Sequence, residues 1–198
     1  MNVCFDHLLR TIRYLCLVIG VAALSYSSWI YLDGYWKQVR DSHEFDNARV
    51  AQVPEAATGL KPFSARLTIP RLHLVTMVKD GVGEDTLSYA AGHIPGTAVP
   101  GRPGNIGIAA HRDSIFSGLR GIRKHDRILL STSQKDYYYL VVSMSIVNPE
   151  DVSVLVPSAG QNTLTLVTCY PFHFIGQAPK RFIVRALQIE KGRSRKSG

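Results

Sequence analysis

The stretch TLTLVTCYPF, residues 163–172, alternates apolar and polar residues, stops on a cysteine and then turns at a proline. A period of two is the mark of a half-buried strand, and Pro171, with no backbone donor, ends it. Cys169 is therefore left at a strand end. It is either a small apolar residue closing the strand or a thiol held there for chemistry. The stretch alone leaves both readings open.

Around it lie further short runs rich in β-branched and aromatic residues: ARLTIP (65–70), HLVTMV (73–78), NIGIAAH (105–111), DRILLST (126–132), DYYYLVVSMSIV (136–147) and RFIVRALQI (181–189). Gly, Pro, Asn or Asp clusters separate most of them, as strands require. EDTLSYAAG (84–92) is the best helix candidate, with Gly92 as its C-terminal stop. The loop GHIPGTAVPGRPG (92–104) is expected to pack as an irregular surface segment. Many short strands with few helices predict an all-β barrel or sandwich.

Ahead of the strands, YLCLVIGVAALSYSSWIYL runs 19 residues without a charge between Arg13 and Asp33. That length suffices to cross a hydrocarbon core of about 30 Å. Trp29, Tyr31, Tyr35 and Trp36 crowd its C-terminal end, where amphipathic rings favour the lipid–water interface. The expected organisation is a cytoplasmic tip and transmembrane signal-anchor over 1–36, a juxtamembrane linker over 37–63, a β-rich domain over 64–190 and a basic disordered tail over 191–198. The short N-terminus and long C-terminal part favour a single pass with the domain on the extracytoplasmic side.

Cysteine usage sharpens the question. Cys4 and Cys16 belong to the anchor segment, so Cys169 is the one thiol of the β-domain and has no partner there for a disulfide. Charge is a weaker guide. Residues 61–198 hold 18 Lys/Arg against nine Asp/Glu, a balance that suits anionic envelope polymers or headgroups. Four of those cations sit in the tail, and no nucleic-acid motif is present.

A catalytic thiol needs a partner to take and return a proton. Of His73, His93, His111, His125 and His173, His111 mirrors Cys169: NIGIAA runs into it as NTLTLVT runs into the cysteine. Parallel neighbours would bring both side chains to one end and one face of the sheet. His173 is separated from Cys169 by Pro171, and His125 sits in the charged turn RKHDR. Thioester chemistry also needs a group for the developing oxyanion. An antiparallel return of RFIVRALQI would bring Arg181 level with Cys169, and its fork of donors suits that task.

An anchor, a β-rich domain, a strand ending AAHRD, a later one ending LVTCYPF and then APKRFIVRA together resemble the sortase family, and TCYPF followed by APKRF is most similar to its class D branch. The resemblance covers residues 64–190. It implies a closed eight-stranded β-barrel and a membrane-anchored cysteine transpeptidase. Carried over residue by residue, Cys169 attacks a sorting signal similar to LPXTG, His111 is the general acid/base, and Arg181 orients substrate and steadies the oxyanion. An amine on a cell-wall precursor or pilin subunit then resolves the thioacyl-enzyme. The substrate-covering segment would be NPEDVSVLVPSAGQN (148–162), with Thr168, Val152, Leu155 and Val156 contacting the peptide. No cofactor or metal is required; calcium stimulates some relatives, and Asp113, Glu150 and Asp151 could supply oxygen ligands, but three scattered carboxylates read first as solvated loop charges. One departure is His125-Asp126, where relatives commonly carry Gly-Asp.

Other classes make different predictions. L,D-transpeptidase-type enzymes place His and Gly directly before the cysteine, which VTCYPF does not, and papain-like hydrolases place it at a helix N-terminus. A sortase-like cysteine protease would let water resolve the thioester. An anchored non-catalytic β-domain binding anionic polymers predicts nothing special about Cys169, His111 or Arg181.

Overall fold

The structure, a computed structural model, describes residues 2–50, 64–158, 160–174 and 176–190. Chain contacts divide it into two units, Met1–Lys37 and Gln38–Gly198. The expected second half of the linker and the basic tail lie outside the described residues.

The first unit is helical. Helix α1 spans Asn2–Val50 and carries, within Arg10–Asn47, a window long and apolar enough to cross a membrane, with its side chains unburied. Nothing in its sequence stops it: Gly20 is the only glycine before Gly34, and no proline intervenes.

The second unit is built on eight strands: β1 (Ser64–Ile69), β2 (Leu74–Asp80), β3 (Ala91–His93), β4 (Asn105–Ala109), β5 (Arg127–Ser131), β6 (Asp136–Val147), β7 (Thr163–Tyr170) and β8 (Lys180–Ile189). They close into a barrel in the order β1-β2-β3-β4-β7-β8-β6-β5, so no sheet edge is left unpaired. Two neighbouring pairs are parallel, β2 with β3 and β4 with β7; the other pairs are antiparallel. Period-two alternation assigns the faces. Ile106, Ile108 and Ala110 beside Leu164 and Leu166 fill the interior with Leu67, Ile69, Ile128, Leu130 and Val184. Each such Leu or Ile contributes about 1.5–3 kcal/mol on leaving water. Tyr139 is buried with them, and desolvation pushes its phenol above the ordinary range.

The seven runs read from the pattern are all strands; the helix and the loop after it are corrected. Helix α2 covers only Glu84–Leu87, and Ala91 already begins β3. Gly92 is a strand residue, not a helix stop. A Cβ there would lie 2.3 Å from Gly81 O, so glycine is needed for close backbone approach. Three residues cannot show a period, which is why β3 is hidden.

Within this second unit the helical residues from Gln38 pack on the barrel. Phe45 is buried, with the Arg66 guanidinium 5.1 Å from its ring. Arg66 pairs with Asp46 at 2.8 Å and Lys79 with Asp41 at 2.9 Å.

Candidate active site

The outer face of β4, β7 and β8 brings together the three residues singled out in the sequence. Cys169 sits directly opposite Arg181 in the antiparallel β7–β8 register. In the parallel β4–β7 pair Ala109 faces Val167, so His111 and Cys169 each follow their strand's last matched residue by two. Two bonds hold these ends together: Ala110 N donates to Val167 O at 3.2 Å, and Thr168 Oγ1 donates to Ala110 O at 2.7 Å. Strand β7 stops at Tyr170, directly before Pro171, as the opening stretch predicts.

His111, Cys169 and Arg181 line one cleft of about 570 Å³, with Arg112, Asp113 and Glu150. Its volume falls in the ~300–1,000 Å³ range of ligand sites. Cys169 is a free thiol, half-buried. His111 is partly exposed, and its Nε2 lies 3.9 Å from Oε1 of Glu84. Arg181 donates from Nη1 to Lys180 O at 3.1 Å and Ala178 O at 3.3 Å. Two carbonyls thus fix one end of the guanidinium, and its remaining donors are left for a ligand.

The other histidines are engaged elsewhere. His93 is buried, with Nδ1 3.2 Å from Asp80 Oδ1 and Nε2 3.0 Å from Ala98 O. His173 faces Arg120, while His73 and His125 occupy left-handed turn positions. Of the described histidines, only His111 lines the cleft.

The expected peptide contacts separate into two groups. Val152 and Leu155 lie in a single 3-10 turn, Val152–Leu155, with Val156 next in the chain. Val152 and Val156 are 70% and 58% exposed. Thr168 is different: only 2% of it is exposed, and its hydroxyl is spent on Ala110 O. Its side chain turns into the barrel and braces the strand ends that carry His111 and Cys169. Of the three carboxylates considered for calcium, Asp113 and Glu150 line the cleft. Asp151 instead caps the turn through Ser153 N and Oγ. Among the described residues there is no group of three or more His, Cys, Asp or Glu placed to hold a metal.

Arg112 was not anticipated. Its Nη2 donates to Phe174 O at 2.7 Å and Gly176 O at 3.1 Å, and its guanidinium lies 5.9 Å from the Phe174 ring centre. It therefore fastens the β7–β8 connection to the end of β4. Its only signal in the sequence is a cation placed directly after His111.

The sortase domain model matches residues 67–189, which contain all three cleft residues and all but the first three residues of the barrel. The chain belongs to the sortase family. It is 32% identical over 126 residues to Sortase D of Bacillus subtilis, covering 64% of each chain. It is 30% identical over 138 residues to Sortase A of Streptococcus agalactiae, covering 66% of this chain and 54% of that one. The match thus spans somewhat less than two thirds of these relatives' length. Among solved structures, the Sortase D5 transpeptidase of Clostridium perfringens superposes with a TM-score of 0.65 at 25% identity, over 75% of this chain and 95% of that one. Sortase A of Corynebacterium diphtheriae gives 0.62 at 27% identity, over 67% and 63%. The likenesses to Sortase D and to the Sortase D5 transpeptidase support the resemblance to class D, and the latter superposition supports the closed barrel.

Proposed function

We propose that this sortase is a membrane-anchored cysteine transpeptidase acting on an LPXTG-like sorting signal of a surface protein. The observation that carries the reading is the convergence of Cys169, His111 and Arg181 on one cleft from three adjacent strands. Convergence at a sheet end lets all three act on one bond without opening the core.

The chemistry follows from the residue types. The Cys169 thiolate attacks the scissile carbonyl, and the oxyanion that develops takes donors from Arg181. His111 delivers a proton to the departing amine as the C–N bond breaks, leaving a thioester on Sγ. An amine acceptor, a cell-wall precursor or pilin subunit, then gives a proton to His111 and attacks the thioester. A new C–N bond forms, and Cys169 leaves as the thiolate. Val152, Leu155 and Val156 would offer apolar surface to the Leu-Pro part of the signal. Thr168 would act by bracing the strand ends that carry His111 and Cys169. The bond-making steps need no metal, so turnover should persist in EDTA, and comparison with added calcium tests whether that turnover is stimulated. The anchor would place the barrel on the extracytoplasmic side, within reach of envelope substrates.

The test uses the full chain in detergent, an LPXTG-like peptide, and mass spectrometry with and without an amine. Product that requires the amine and vanishes in Cys169→Ala supports transpeptidation. Equal product without amine means hydrolysis, and absence of any thioacyl-enzyme across a broad peptide panel overturns the reading.

A further inference from the structure

Two polar side chains are buried on the barrel's outer face, where apolar ones would pack without cost. Asn105 of β4 is 1% exposed and Thr165 of β7 is fully buried. Burying such groups is unfavourable unless they are paired. Thr165 Oγ1 donates to Asn105 Oδ1 at 2.8 Å. That fixes the amide, so Asn105 Nδ2 donates to Val154 O at 3.2 Å. On the next strand Arg185, opposite Thr165 in register, donates from Nη2 to Ser158 Oγ at 2.8 Å and to Val156 O at 3.3 Å. Leu155 descends between these bonds: a Cβ added to Gly107 would lie 3.1 Å from its Cδ2.

The segment from Val154 to Ser158 is therefore fastened at alternate residues by side chains from three neighbouring strands. Yet Val152 and Val156 keep their side chains largely in water. Such a segment has its backbone committed and Leu155 packed down, while the Val152 and Val156 side chains on either side of it stay available.

We propose that Asn105, Thr165 and Arg185 form a polar clasp that pre-sets residues 152–158 as a rigid wall of the substrate groove. This makes them positioning residues for the peptide, an inference resting on the reading that this wall receives the sorting signal. Ordering a loose loop would weaken every binding event; the clasp meets that cost once, on folding.

Asn105→Asp is the sharpest test. It keeps the side chain's size and an acceptor for Thr165, but replaces the donor to Val154 O with a second oxygen that repels it. In the full chain, KM for an LPXTG-like peptide should rise about tenfold, with a smaller change in kcat. Amide hydrogen exchange over 152–158 should quicken about tenfold while strand amides keep their protection. Arg185→Gln and Thr165→Val should do the same, and stand in if Asn105→Asp does not fold. Ile128→Val, a core truncation far in sequence from the loop, serves as the stability control: it should lower melting temperature but not raise KM. Clasp variants that raise KM no more than Ile128→Val, or leave exchange over 152–158 unchanged, overturn the proposal. If the wild type forms no thioacyl-enzyme, the functional reading fails, while the exchange comparison still decides the clasp.

Discussion

Cys169 illustrates how little a single residue says before its neighbours are placed. Alone at the end of TLTLVT it fits a buried apolar closure as well as a nucleophile, and only the register opposite Arg181 and the shared cleft with His111 separate the two. Arg181→Lys should lose most turnover in steady-state assays, since a point charge cannot hold two carbonyls and still present a planar fork to the substrate. His125 is a second case. It has φ 69°, a left-handed conformation that suits glycine and tolerates few other residues. The turn at His125-Asp126 is thus one that glycine would make freely and that this chain makes with histidine. His125→Val should therefore destabilise by about 1–2 kcal/mol in denaturant titration, and His125→Gly should cost less. Beside it, the hydrogen bonds from Arg71, 2.5 Å from each carboxylate oxygen, hold Asp126 below the usual carboxylate range, aided by Arg123 N. A depressed folded pKa means that this stability is present above the unfolded pKa near 3.8. It is lost as pH falls through the lower folded value. Wild type should thus lose part of its advantage over Asp126→Asn when both are unfolded at progressively lower pH.

At the scale of elements, legibility tracked length and periodicity. Seven strands of five or more residues show period two or dense β-branching, and all seven could be read. β3 could not, because three residues carry no period and Gly92 looks like a helix stop until its contact with Gly81 O is known. Gly92→Ala should be strongly destabilising, by roughly 2–4 kcal/mol, because the atom it meets is backbone and cannot swing away. The strut from Thr168 to Ala110 O was invisible for a different reason. A threonine preceding a cysteine reads as a substrate contact, whereas strand parity turns it inward. Thr168→Val would leave Ala110 O without that donor, costing about 1–3 kcal/mol by thermal unfolding. The clasp of Asn105, Thr165 and Arg185 was hidden too, since hydrogen bonds between residues 27 to 60 positions apart leave no local pattern.

The whole molecule joins an apolar N-terminal helix to a closed barrel, with His111, Cys169 and Arg181 gathered at one end of three adjacent strands. The apolar N-terminal segment and the ordered His, Cys and Arg elements were readable because each is a statement about composition or chain order. Closure of the barrel was expected only through the sortase resemblance, because a barrel and a sandwich share the same strand pattern and differ only in which strands meet. The central claim is that Cys169 forms a thioester that an amine resolves. Its most direct measurement is the intact mass of the full chain after brief exposure to an LPXTG-like peptide, before and after adding an amine. The account predicts an adduct equal to the acyl fragment, located on Cys169, released faster by amine than by water and absent in His111→Ala and Cys169→Ala. An unmodified mass across a broad panel of such peptides, or an adduct on any other residue, would contradict it.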